Sequence, residues 1–335
     1  MTPPRVCLAS IAVALSGCAA LPDAAVRYYL PKTTVNVKVV RTVACDSDDH
    51  LVISNVATPT VVHSADLGKK HTVTLSQLKG PFSDSDVKVQ FYDDGRLKGF
   101  NSSSTGEGEA ALKTVVSIVT PFLGVVRGTP KEPSACAQIK KEGGGKPLTI
   151  TYSGVIALSE HTTTPIGLEA TSQIYSDLAP AVGTVCANVG TVTNPEPPVS
   201  YNPKATEPAL EVSEPAIVQI TISAGGPNRC DAGKVWEGEV QVAQLGTNYK
   251  LPMPKAVIFG KEAVGVAFAE SGALSSVQFT NSTGAGQGLN VINAANAALK
   301  PESTAQKAAD VKAEADLIAE QQRLVGCLAD PKDCK

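Results

Sequence analysis

Aromatic residues are scarce in this sequence: Phe, Tyr and Trp make up 4% of it, with a single tryptophan. So few rings argue against a carbohydrate-binding platform and against a membrane β-barrel girdled by aromatics. An excess of either charge is also missing, because 29 Lys and Arg face 32 Asp and Glu. Such a balance leaves no electrostatic footprint for DNA, RNA or an acidic polymer, and nucleic acid is excluded as a partner. There is no C-x-x-C pair, and His50, His63, His71 and His161 do not cluster around cysteines, so neither a zinc site nor a thioredoxin-like redox centre is expected. Serine chemistry lacks its marks too. No G-x-S-x-G elbow occurs, and the two S-x-x-K matches, Ser76 to Lys79 and Ser85 to Lys88, come without Ser-Asp-Asn or Lys-Thr-Gly partners. What remains is a chain of 335 residues, 43% hydrophobic, which is long enough for two domains with real cores.

The amino terminus carries the sharpest pattern. Arg5 and the terminal amine precede a short apolar stretch from Val6 to Leu15, and Leu15-Ser16-Gly17-Cys18 closes it. A stretch this short does not span a bilayer and reads as a secretory signal. The tetrad Leu15-Ser16-Gly17-Cys18 resembles the lipobox of bacterial lipoproteins. That resemblance implies diacylglycerol on the Cys18 sulfur and cleavage before Cys18, so residues 1–17 leave as signal and 18–32 form a lipidated tether. Acyl chains contribute about 0.8 kcal/mol per buried methylene, and several of them hold a protein on the membrane. Ala19 follows the anchor, and in the Gram-negative lipoproteins that the tetrad resembles, a residue other than Asp there implies sorting to the outer membrane, facing the periplasm. No other run of about 18 apolar residues occurs.

A second pattern is an internal repeat. Val89-Gln90-Phe91, Gly95, Leu97 and Ser104-Thr105-Gly106-Glu107-Gly108 match Val266-Ala267-Phe268, Gly272, Leu274 and Ser282-Thr283-Gly284-Ala285-Gly286. Upstream, Leu67-Gly68 matches Leu245-Gly246 and Cys45-Asp46 matches Cys230-Asp231. Before these, the alternating Val35, Val37 and Val39 match Val218, Ile220 and Ile222. Downstream, Leu112 and Val115 fall on Leu289 and Ile292. The order is the same in both halves, which reads as a tandem duplication.

Each copy begins with a period-two strand, Val35 to Val40 or Ile217 to Ser223, with Asn36 and Lys38 of the first directed to water. A cysteine-containing loop follows, and then a hairpin turning at Asp93-Asp94-Gly95 or Glu270-Ser271-Gly272, where glycine accepts the positive φ of a tight turn. After the Ser-Thr-Gly-x-Gly loop, Leu112, Val115 and Val119 share the face of a helix. The fold class expected is α+β and β-rich: two tandem homologous modules of mostly antiparallel strands with one packing helix each, plus a C-terminal helix. The first module takes residues 33–192, with an extra segment from about Ala135 to Cys186 that includes the alternating Leu148, Ile150 and Tyr152. A linker rich in Pro195, Pro197, Pro198, Pro203, Pro208 and Pro215 takes 193–215. The second module takes 216–300. Residues 301–335 are read as a helix with Val311, Ala315, Ile318 and Val325 on one face, packing on its own domain, and a cysteine-containing tail.

The remaining motifs carry little chemistry. Glycines at a helix start can bare N–H groups to phosphate, but the Ser-Thr-Gly-x-Gly loop has no Lys-Ser/Thr and follows a hairpin, so capping is its expected role. Asp46-Ser47-Asp48-Asp49-His50 lacks the Gly and Glu of a calcium loop and reads as a solvated acidic turn. His63 and His71 are expected at surfaces or edges of strands. No catalytic residue, metal ligand or cofactor is assigned.

Of the 8 cysteines, Cys7 leaves with the signal and Cys18 carries lipid. The others are read as disulfides of an exported protein. Aligning the copies makes Cys45 and Cys230 equivalent, each with a later cysteine beyond its module's helix, which favours Cys45–Cys136, Cys230–Cys327 and Cys186–Cys334. The rival scheme has a local Cys327–Cys334 bridge with Cys186 left to Cys230. The functional expectation is a membrane-anchored, non-catalytic envelope lipoprotein acting as a structural or interaction module. Its partners are then the membrane, through covalent lipid, and an envelope protein. Two other readings stand beside it: a periplasmic hydrolase acting on cell-wall or exported material, and a carrier of a small ligand or ion.

Overall fold

The alternation seen at Val35 to Val40 belongs to a much longer strand. In the computed structural model, which describes residues 23–78, 86–103, 124–126, 133–144, 146–169, 178, 182–203, 207–225, 230, 233–253, 261–282, 304–330 and 334, β1 spans Ala25–Cys45 and pairs antiparallel with β2, Leu51–Thr74. Val35, Val37 and Val39 are buried while Asn36 and Lys38 are exposed. From Val39 to Ala44 both faces are covered, because an element from the far end of the chain lies over the outer one. The expected tether is corrected here. From Ala25 onward it is strand, and Tyr28 and Leu30 are core residues at 2% and 3% exposure.

The second half opens with the same kind of long hairpin, β9 (Ala209–Ala224) against β10 (Lys234–Pro252). Between the two hairpins lie β5 (Gly124–Val126), the helix α1 (Pro133–Gly143), β6 (Leu148–Val155), β7 (Thr163–Leu168) and β8 (Val185–Thr193). These strands form one 8-stranded sheet in the order β10-β9-β8-β7-β6-β1-β2-β5, every pairing antiparallel. Its β10 edge curls back onto β1. The Thr33 amide donates to Gln244 Oε1 at 2.7 Å, and the Ala243 amide donates to Thr33 Oγ1 at 3.0 Å. Curling of this kind keeps an edge strand's polar groups occupied.

Each long hairpin is followed by a short one: β3 (Asp86–Phe91) with β4 (Leu97–Ser103), and β11 (Lys261–Phe268) with β12 (Leu274–Ser282). Gly95 and Gly272 sit in their turns at φ of 86° and 89°, the left-handed region that favours glycine. Together they make a 4-stranded sheet in the order β12-β11-β4-β3. Two cores result. One gathers Val35, Val37, Ile150, Val185, Val218, Ile220 and Trp236, and the other gathers Tyr28, Leu30, Leu97, Phe100, Leu210, Leu251, Val266 and Phe268. Both cores draw on both halves of the sequence, because β1, β2, β9 and β10 run long enough to serve each in turn.

The two halves are therefore interlocked rather than joined by a spacer: β8 pairs with β9, and β4 pairs with β11. The span 193–215 contains 194–203 without regular structure, but β9 already begins at Ala209. Pro215 is tolerated inside this strand because the register jumps from Ala216↔Val242 to Glu214↔Thr247, so it faces a bulge and no ladder bond needs its missing N–H. Gly246 completes the arrangement, since a Cβ there would fall on the Glu214 carbonyl. Pro31 of β1 has the same setting, beside the shift from Tyr29↔Lys70 to Pro31↔Ala65 that lets residues 66–69 bulge from β2.

The C-terminal helix, α2, spans Thr304–Ala329. It packs on β1 and β2 of the first half, through Val325 against Ala44 and Val52. Gln321 Nε2 donates to Ser54 Oγ at 2.8 Å from a buried position. Only the last part of the expected apolar face is used, for Val311 is 67% exposed. The expected helices around Leu112 to Val119 and around Leu289 to Ile292 lie outside the described residues.

Candidate functional site

Cys18, the expected lipid attachment point, and most of both Ser-Thr-Gly-x-Gly loops lie outside the described residues. The acidic loop is described and proves to be the turn between β1 and β2. Asp46 Oδ1 accepts from the amides of Asp48 and His50 at 2.9 and 2.8 Å, and Asp49, at φ 60°, pairs with Lys140 of α1 at 2.8 Å. Its carboxylates thus hold a turn and tie it to a helix. His71 lies against the Tyr28 ring at a centroid distance of 5.7 Å.

Two disulfides brace the larger core. Cys45, closing β1, is bonded to Cys136 on the buried face of α1 beside Ala135 and Ile139. Cys186 of β8 is bonded to Cys230, which follows β9. This second bond corrects the pairings Cys230–Cys327 and Cys186–Cys334. The reason is in the ladder: Cys186 lies opposite Ser223 near the end of β9, so the chain leaving that strand returns Cys230 to it within a few residues. Cys327, on α2, and Cys334 take part in neither bond.

Several polar groups meet where the turns of the short hairpins come against the long strands. Arg96, 7% exposed, follows Gly95 and is fixed on three sides. Its Nε pairs with Asp94 Oδ2 at 2.7 Å, Nη1 donates to the Glu270 carbonyl, and the guanidinium lies 4.7 Å from the centroid of Tyr92. The Tyr92 hydroxyl donates to the Phe268 carbonyl at 2.8 Å, and burial pushes its pKa up to about 12. Gln241 Oε1 accepts from the Ser271 hydroxyl at 2.9 Å, and Tyr28 Oη donates to the Glu211 carbonyl at 2.9 Å while accepting from the Glu211 amide at 3.0 Å. Arg96–Glu270, Tyr92–Phe268 and Tyr28–Glu211 each join the first half of the chain to the second, whereas Ser271–Gln241 lies within the second half. A narrow cleft here, walled by Tyr29, Pro31, Arg96, Val212, Phe268 and Gly272, leaves little free space, and a Cβ on Gly272 would strike Pro31.

His63 lies at the rim of this seam, half-buried, with Nδ1 3.1 Å from Thr33 Oγ1. Burial, reinforced by the charge of Arg96, pushes its pKa down to about 4. It is neutral at pH 7 and serves as a hydrogen-bond partner to the threonine that anchors β10. A histidine whose folded pKa is depressed supports the fold fully above its unfolded pKa and loses that support as protons bind the unfolded chain first. Stability is therefore expected to fall by on the order of 2 kcal/mol between about pH 6.5 and pH 4 from this group. Urea unfolding across that range checks it, and His63→Gln should flatten the slope.

The largest fully buried side chain among the described residues belongs to Arg41, which no sequence motif singles out. Arg41 sits in register with Val37, Val39 and Val43 on the core face of β1 and is 1% exposed. Its Nε donates to Asn55 Oδ1 at 2.7 Å, and Nη1 donates to the carbonyls of Val182 and Gly183, the latter at 3.0 Å, with the Tyr152 ring at 5.2 Å. A charge inserted into a valine alternation was the available signal. The geometry defines a disulfide-braced, β-rich protein with two sheets and two main cores, in which the contacts of Tyr28, Tyr92 and Arg96 tie its halves together. The chain matches no protein-family model, no curated protein and no solved structure.

Proposed function

We propose that this chain is a lipid-anchored cell-envelope protein, a non-catalytic structural or interaction module held on the membrane through Cys18. The observation that carries the reading is Leu15-Ser16-Gly17-Cys18 at the end of a short apolar stretch. Two disulfides in the folded region fit an oxidising compartment such as the periplasm. The seam supports a non-catalytic role, because Arg96, Tyr92 and Ser271 spend hydrogen bonds on the Glu270 and Phe268 carbonyls and the Gln241 side chain, and His63 is held neutral. By resemblance to lipoproteins with a residue other than Asp after the lipidated cysteine, Ala19 directs the protein to the outer membrane, facing the periplasm. With Cys18→Ala, lipidation is expected to stop and the protein to leave the membrane fraction. Palmitate labelling that persists in Cys18→Ala, or is absent from the wild type, contradicts the anchor.

We also infer that the two halves descend from one duplicated unit. Each runs long hairpin, then short hairpin, and each long hairpin has a proline at or beside the register shift that makes a bulge holding Leu-Gly, Pro31 with Leu67-Gly68 and Pro215 with Leu245-Gly246. An experimental structure tests this reading by superposing residues 25–103 on 209–282.

A further inference from the structure

Among the described residues the two halves meet asymmetrically, and the smaller sheet ends with β3 at one edge and β12 at the other. Inside the chain, the outer edge of β4 from the first half pairs with β11 from the second, with Val264 opposite Ser102 and Val266 opposite Phe100. If the halves are copies, β11 corresponds to β3 and β12 corresponds to β4. The 4-stranded sheet, in the order β12-β11-β4-β3, then ends on one side with the strand that seeks a β4 and on the other with the strand that seeks a β11.

We propose that this protein associates head to tail with further copies of itself, β3 of one copy pairing antiparallel with β12 of the next in the register of the internal junction. This rests on the duplication reading of the preceding subsection. Carrying the register over puts Val87 opposite Phe279 and Val89 opposite Val277, two apolar cross-strand pairs. Lys88 falls opposite Gln278 and Asp86 opposite Thr280, so no like charges meet.

Burial supports the choice of a second copy as occupant. Phe268 of β11, next to the filled junction, is 2% exposed, whereas its match Phe91 on β3 is 40% exposed. Leu245, in the bulge docked on the first half, packs against the larger core, whereas its match Leu67 is 75% exposed. Phe279, on the other open edge, is 51% exposed. Phe91 and Leu67 are thus bare where their matches Phe268 and Leu245, beside a neighbouring module, are covered. A heterologous contact of this kind builds rings or open filaments rather than isolated dimers.

Sedimentation of the full-length protein in detergent, from about 1 to 100 μM, tests the proposal. The wild type is expected to grow with concentration beyond dimers. Phe91→Lys blocks the β3 end and Phe279→Lys blocks the β12 end; both positions are exposed, so both variants should fold. Each alone is expected to lose association at least about tenfold. Mixed in equal amounts they should form one-to-one dimers, because each retains the edge that the other lacks. A wild type that stays monomeric, or variants that pair with themselves and not with each other, overturns the proposal. If the halves superpose while the protein stays monomeric, self-association alone is wrong. Failure of the halves to superpose removes the register whatever the sedimentation shows.

Discussion

Replacing Cys45 and Cys136 together by alanine is expected to destabilise the protein by about 4 to 5 kcal/mol, a large part of what a domain has to spare. The bond closes a loop with a sequence separation of 91 and joins the end of β1 to a helix whose buried face contributes Ala135 and Ile139 to the larger core. Opening it frees a long stretch of the unfolded chain and loosens the hold on α1, which otherwise touches the sheet through few side chains and the Lys140–Asp49 pair. The Cys186–Cys230 bond closes a shorter loop, with a separation of 44. Its removal should cost about 4 kcal/mol, roughly half a kcal/mol less than the first in the chain-entropy account. Urea unfolding of the two double variants measures both. Unchanged midpoints, or a wild type insensitive to reducing agent, would speak against these bonds as staples.

Arg41→Met is expected to cost about 3 to 5 kcal/mol, even though methionine is well suited to a core. Burial lowers the Arg41 pKa from its usual value, yet an arginine remains charged inside proteins. Neutral acceptors hold it: the Asn55 amide oxygen, the carbonyls of Val182 and Gly183, and the Tyr152 hydroxyl at 3.4 Å. Methionine fills part of the volume but takes the guanidinium donors from the buried Asn55 amide oxygen and the Val182 carbonyl, while the Gly183 carbonyl keeps the Tyr152 hydroxyl at 3.2 Å. The node joins β1 to β2, to β6 and to the segment before β8, so several elements loosen at once. Arg41→Lys should rescue only partly, since one ammonium cannot reproduce the forked geometry. A Met variant within roughly 1 kcal/mol of the wild type, the worth of one ordinary hydrogen bond, would mean that the node is not needed.

What was legible in the sequence is what short range decides. The alternation of Val35, Val37 and Val39, and glycine at the turns of Gly95 and Gly272, depend on side chains a few residues apart. Both-face burial from Val40 to Ala44 depends on α2, which arrives from the far end of the chain. Proline density made 193–215 look like a spacer, but whether Pro215 can sit in a strand is decided by the bulge opposite it on β10. The alignment of Cys45 with Cys230 suggests Cys230–Cys327, whereas the β8–β9 ladder brings Cys186 and Cys230 together. The seam was invisible for the same reason: Tyr92 and Arg96 bond to Phe268 and Glu270 at sequence separations of 176 and 174. Only Arg41 stood in plain view, as a charge at a position whose neighbours in the alternation are all valine.

The anchor is the point on which the functional account turns, and mass spectrometry of the amino-terminal peptide from membrane-isolated protein tests it most directly. The account predicts a mature chain beginning at Cys18 and carrying the added mass of diacylglycerol on its sulfur. A chain that begins anywhere else, or a Cys18 with an unmodified thiol, would contradict it.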